Sequence, residues 1–127
     1  MDFNLSEGME HTETYVVEEK YIADFLGSGK VAVLSTPSMI LMMENTALLL
    51  AQDKLPEGWV TVGTRVDVSH LKPARKGAKI TIIAKLKKIE KRHLTFSVKA
   101  LANEIIIGEG IHERHIVNKE RFMKKME

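Results

Sequence analysis

Two hydrophobic periods divide this chain. Between Ser35 and Ala51 apolar residues fill positions 39–43 and 47–51 and leave no polar stripe at helical spacing. That pattern predicts a helix enclosed by other structure, with no exposed side. Ser35 or Thr36 can cap its N-terminus and Pro37 falls at the first helical position, where its missing N–H costs nothing. At about 1.5 Å per residue the helix would span roughly 25 Å, too short to cross a bilayer.

Beyond the helix the period falls to two. Val60, Val62, Thr64, Val66, Val68 and His70 alternate with Thr61, Gly63, Arg65, Asp67 and Ser69, so a regular strand would turn the first set, His70 included, toward the core. Ile80, Ile82, Ala84 and Leu86 point inward from a second strand. Leu94, Phe96, Val98, Ala100 and Ala102 do so from a third, and a turn around Glu90 to Arg92 joins the two as a long hairpin. A fourth run, Glu104 to Asn118, is rich in β-formers with ambiguous facing; its Gly108 and Gly110 mark a bulge or a close approach of another backbone. Upstream, Thr12 to Val17 reads as a short strand and Glu18 to Leu26 as a short helix ending at Gly27-Ser-Gly29.

Several antiparallel strands enclose an apolar helix only by curving around it. The expected fold is therefore α+β, a hot-dog: an antiparallel sheet of about five strands wrapped around one long buried helix, as a single domain over residues 1–127. Such a sheet leaves an open edge, so the expected assembly is a homodimer, or a tetramer built from it, with the binding cleft completed by the pairing.

Composition narrows the chemistry. A length of 127 residues with 44% apolar content suits one globular core. The acidic N-terminus lacks an apolar signal-peptide region, and zero cysteines exclude disulfides, thiol catalysis and Cys-ligated zinc. A cytoplasmic location follows as the default. The 19 basic and 17 acidic residues leave a net charge of only +2, too balanced for a general nucleic-acid binder. His93, His112 and His115 make no metal-ligand spacing with carboxylates, so no metal and no cofactor are expected.

Against this background Glu44 stands out, the only charged residue between Ser35 and Ala51. An isolated ionised carboxylate in an apolar interior costs on the order of several kcal/mol, so it needs partners or a function. It could deprotonate a water or attack a carbonyl directly. Thr36 lies eight residues earlier, near the positive end of the helix. Each candidate also has a plain structural reading: an ion pair for Glu44, a cap for Thr36, a core residue for His70 and a bulge at Gly63.

Taken together, Thr36 and Glu44 in Leu-Ser-Thr-Pro-Ser-Met-Ile-Leu-Met-Met-Glu, then Thr61-Val-Gly-Thr, Val68-Ser-His70 and Gly110-Ile-His-Glu-Arg114 resemble the fluoroacetyl-CoA thioesterase family of hot-dog proteins. The resemblance covers nearly the whole chain and lies in the combination of spacings. It implies hydrolysis of an acyl-CoA thioester at a subunit interface, with Thr36, Glu44 and His70 as the catalytic set and Gly63 donating its backbone N–H. The chain departs from the pattern before Thr36. The fluoroacetate-resistance member has a longer, aromatic-rich lid there, whereas Tyr21 to Leu34 offers only Tyr21 and Phe25. What carries over is the hydrolytic set, not the acyl group. A CoA substrate brings phosphates, for which Lys72, Arg75 and Lys76 form a basic turn directly after His70; Arg114 is a further candidate, with an ion pair to Glu113 as its structural alternative. Two other classes fit the same fold: a non-catalytic acyl-CoA or small-ligand binding module, and a hydratase or dehydratase. The latter is disfavoured because His70 follows Glu44 in the chain. No nucleic acid or membrane partner is expected.

Overall fold

The Ser35 hydroxyl accepts the Ser38 N–H at 3.2 Å and Pro37 occupies the first turn, so helix α1 (Thr36–Gln52) starts where its capping residues stand. The computed structural model describes residues 3–22 and 31–127. Five strands accompany the helix: β1 (Glu10–Val16), β2 (Trp59–His70), β3 (Lys79–Glu90), β4 (His93–Ala102) and β5 (Ile105–Asn118), followed by a short α2 (Lys119–Lys124). They form one antiparallel sheet in the order β1-β3-β4-β5-β2, which leaves β1 and β2 at its edges. The expected α+β hot-dog architecture is what the molecule adopts. Of the helix expected over Glu18 to Leu26, the described part is a 3-10 turn at Glu19–Tyr21; residues 23–30, Phe25 among them, lie outside the described residues.

The hairpin of β3 and β4 has the expected inner rows: Ile80, Ile82, Ala84 and Leu86 face Leu94, Phe96, Val98 and Ala100, and all are buried. Against them α1 sets Met39, Met42, Met43, Ala47, Leu50 and Ala51. Burying each large side chain of this kind stabilises the fold by about 1.5–3 kcal/mol.

Two expectations change. The sheet covers only part of the helix circumference. Leu41 remains 58% and Leu49 38% exposed, and Glu44 is half-buried instead of enclosed. The expectation of a helix with no exposed side therefore fails for the single chain, because five strands curve around one side of α1 and leave the other open. In β2, moreover, the face assignment inverts midway. Gly63 pairs with Arg114 and Arg65 with Glu113, which leaves Thr64 as an extra residue in a bulge. One extra residue exchanges the two faces of a strand. Trp59, Thr61 and Gly63 thus face inward before the bulge, and Val66, Val68 and His70 after it. Val60 and Val62, expected to share the inner row with His70, lie on the outer face.

The two glycines of β5 are places of close approach. A Cβ on Gly108 would collide with Met39 Sδ and lie 2.8 Å from Met39 Cε. On Gly110 it would collide with the Asp67 carbonyl and lie 2.5 Å from Val68 Cα, backbone that cannot rotate away. Overpacking of this kind costs about 1–3 kcal/mol. Gly110→Ala is expected to destabilise the protein by at least about 2 kcal/mol in urea denaturation; a loss under about 0.5 kcal/mol would show that the two strands can separate to admit a methyl.

Candidate active site

The seam between α1 and β2 holds two groups of polar side chains. At the N-terminal end of the helix, Thr36 Oγ1 lies 2.8 Å from His70 Nδ1. The strand runs back along the helix, so its last residue meets the helix's first. His70 Nε2 is shielded from solvent and has no hydrogen-bond partner among the described residues. An unsatisfied buried polar atom calls for an explanation, and a functional role is one. Burial lowers the His70 pKa below its ordinary value, with the Lys72 backbone acting weakly the other way. The pair opens onto a cleft of about 460 Å³ that Ser35, Leu71 and Lys72 also line.

Further along the seam, at about 1.5 Å per residue, Glu44 stands roughly 12 Å beyond Thr36 along the axis. Its neighbour is Gly63. A methyl built on Gly63 would sit 3.4 Å from each of Glu44 Oε2, Arg114 Nη1 and His112 Cε1, so these three side chains face one another across a residue that has none. Gly63 thereby keeps open a space beside the carboxylate. Within one chain the structure brings Thr36 to His70 and Glu44 to Gly63, as two groups on one seam.

The cationic residues separate by role. Lys72 lines the cleft beside His70, Arg75 is exposed nearby, and Lys76 is paired with Glu19 at 2.7 Å. Arg114 is not on this rim. It is 5% exposed, its Nε donates to Thr61 Oγ1 at 2.7 Å and its Nη2 to Thr61 O at 3.0 Å. Burial lowers its pKa and the Glu44 carboxylate opposes that. Nor does it pair with Glu113, because successive residues of a strand face opposite ways. Glu113 points outward, where it accepts from His93 Nε2 at 2.6 Å and Arg65 Nη1 at 3.0 Å. Those two hydrogen bonds pull the Glu113 pKa below its usual range. The chain ends in α2, capped by Asn118 Oδ1 accepting the Arg121 N–H at 3.1 Å, with no residue buried.

Sequence reasoning overlooked His112 and Thr61 as part of this constellation. Their signal was present in the quoted motifs, but a regular alternation of β2 turned Thr61 to the wrong face. Only the bulge puts Thr61, Gly63, His112 and Arg114 on one side.

A curved five-stranded antiparallel sheet closed on a single long helix, with a carboxylate and a Thr–His pair along its open seam, defines a hot-dog protein. The family model for fluoroacetyl-CoA-specific thioesterases matches residues 17–120, and the chain belongs to that family. It is a thioester hydrolase. Among its relatives, the fluoroacetyl-CoA thioesterase of Streptantibioticus cattleyicolor is 31% identical over 94 residues, which cover 74% of this chain and 68% of that protein. The solved structure of the fluoroacetyl-CoA thioesterase FlK superposes with a TM-score of 0.90 at 26% identity, over 97% of this chain and 96% of that one. A hot-dog-like protein from Thermanaerovibrio acidaminovorans gives 0.91 at 26% identity, over 99% of this chain and 95% of its own.

A test of the site's electrostatics follows from its two imidazoles, His70 half-buried and His112 buried. Burial also lowers the pKa of His112. A histidine whose folded pKa lies below the unfolded value of about 6.5 binds fewer protons when native, so its contribution is lost as pH falls below that value. His70 and His112 both act in this direction. The fall in Tm between pH 7.5 and 5.5 should be smaller, by about half if the two act equally, in His112→Gln than in the parent protein. Equal falls would show that this imidazole is not a cause.

Proposed function

We propose that this protein hydrolyses short or medium acyl-CoA thioesters to the free acid and CoA, in the seam between α1 and β2, with a second copy of the chain closing that seam. The observation that carries this reading is the half-buried Glu44 carboxylate facing Gly63, with no side chain between them, on the same seam as the Thr36–His70 pair. Hydrolysis needs a base or nucleophile, a group that holds a proton and a donor for the developing oxyanion. Glu44 is the first, either drawing a proton from water or attacking the carbonyl carbon itself. Gly63 offers its backbone N–H to the carbonyl oxygen. Because Thr36 and Glu44 of one chain are roughly 12 Å apart along the helix axis, the second copy is needed to bring one chain's Thr36–His70 pair to the other's Glu44; there His70, whose Nε2 has no partner among the described residues, handles a proton as the C–S bond breaks and the CoA thiolate leaves, and Thr36 orients the ring. Lys72 and Arg75 flank the cleft mouth as partners for the CoA phosphates, Lys76 adds its charge behind them, and Arg114 serves the interior of the site instead. Water is the only co-reactant this scheme requires.

Dimerisation is supported by the edge position of β2, by the exposure of Val66 on that strand and by Leu41 on the uncovered face of the helix. A second copy set against this edge would roof over both polar groups and exclude solvent from them.

A panel of acyl-CoAs followed by thiol release tests the activity. Glu44→Ala should lose about 10²–10⁴-fold in kcat, the usual range for a positioned acid–base group, while remaining folded. Absence of turnover by a well-folded dimer on every acyl-CoA would refute the reading. Binding of acyl-CoA unchanged in Glu44→Gln, with no hydrolysis to lose, would make the protein a binding module. His70→Ala should lower kcat by at least about tenfold with only a small change in Tm; a large fall in Tm without a separate loss of rate would assign His70 to structure.

A further inference from the structure

The inner row of β5 carries two buried polar side chains that this scheme leaves without a catalytic role, His112 at 1% exposure and Arg114 at 5%. Their hydrogen bonds admit a single protonation state. His112 Nδ1 lies 2.8 Å from the Arg65 carbonyl oxygen, which can only accept, so Nδ1 carries a proton. His112 Nε2 lies 3.1 Å from Arg114 Nη1, which can only donate, so Nε2 is bare. The ring is neutral, fixed as the Nδ1–H tautomer and held at both ends. Phe96 lies beside it, with ring centroids 6.3 Å apart and the planes inclined at 28°.

What the ring connects matters as much as how it is held. Its Nδ1–H grips the carbonyl of Arg65, just past the bulge, while Arg114 grips Thr61, just before it. The two anchor points bracket Gly63 and Thr64. A bulge leaves a residue without ladder pairing, so this segment depends on side chains for its geometry. Arg114 in turn faces Glu44 across Gly63. Freed from His112, the guanidinium could swing onto the carboxylate and occupy it.

We propose that His112 is a positioning residue of the hydrolytic site. As the fixed Nδ1–H tautomer it braces the β2 bulge against Arg114, keeping Gly63 in place and the guanidinium off the Glu44 carboxylate. This rests on the assignment of the Glu44–Gly63 face as the site of reaction. The charged groups around the ring are Glu44 from α1, Arg65 from β2, and Glu113 and Arg114 from β5, while β4 presents Phe96. Burial, aided by the positive charge of Arg114, keeps the ring neutral against Glu44, Glu113 and the Arg65 carbonyl, which favour its protonation. A protonated ring would lose its acceptor and repel Arg114.

Two substitutions separate a brace from a mere core residue. His112→Phe keeps an aromatic ring beside Phe96 and removes both hydrogen bonds. His112→Gln can restore a donor and an acceptor. For the full-length protein, kcat on the best acyl-CoA should fall roughly tenfold or more in His112→Phe with KM within about threefold, and His112→Gln should recover at least about a third of the parent kcat. A His112→Phe protein within twofold of the parent kcat, or equal losses in both variants, would overturn the proposal. Should His112→Phe fail to fold, the comparison of parent with His112→Gln remains: a Gln variant as inactive as Glu44→Ala contradicts the brace. Nitrogen-15 NMR of the histidine side chains supplies a readout independent of turnover, with the His112 signals identified by their loss in His112→Gln. They should show a neutral Nδ1–H tautomer from pH 5.5 to 8; an Nε2–H tautomer or a charged ring would overturn the brace. A parent protein without hydrolytic activity would refute the function and this role within it, while the tautomer would still decide whether the brace exists.

Discussion

Met39 lies directly over Gly108, and that contact lets the start of α1 sit deep against β5. A methyl on Gly108 would meet the Met39 thioether, which would have to turn aside or lift the helix. That depth has consequences at both ends of the seam. The Leu71 and Lys72 N–H groups both reach the Ile107 carbonyl, at 2.7 and 3.2 Å, so the chain leaving β2 is tied to the same part of β5. Thr36, three residues before Met39, is thereby brought level with His70. Two turns on, Glu44 comes level with Gly63. A shift of the helix outward would part both pairs at once.

Most of the fold was legible because the inner rows of the central hairpin keep a regular alternation. β3 and β4 alternate strictly on the inner face from Ile80 to Leu86 and from Leu94 to Ala100, and an apolar period of two on a chain of that length has one solution. The helix was equally plain from Pro37 and the run of Met and Leu. What failed was local. Thr64 looks like any β-branched strand residue, and nothing in its type announces an extra position in the pairing. The bulge arises from how β2 meets β5, a tertiary fact, and it moved Val60 and Val62 to the outer face and Thr61 to the inner one.

The site divided along the same line. Thr36, Glu44, Gly63 and His70 were identifiable by the oddity of polar or missing side chains in apolar surroundings, or by family spacing. Arg114 and His112 were quoted but not understood. Their importance comes from where their hydrogen bonds end, on backbone carbonyls of a neighbouring strand, and a carbonyl has no signature in sequence. The exposed side of α1 could not be read either. An apolar residue on the open side of a helix and one on its covered side look alike as letters, so Leu41 read as core although its own chain leaves it 58% exposed.

The bulge in β2 also determines what the open edge of the sheet can accept. A straight edge presents an even ladder of N–H and C=O groups, and any extended peptide can add to it in several registers. Here the ladder is broken near its middle at Thr64 and flanked by the charges of Arg65 and Asp67, themselves paired at 3.0 Å. An arriving strand that matches one half of the edge is out of phase with the other. The irregularity that shapes the site thus also interrupts the even edge along which an extended peptide would otherwise slide.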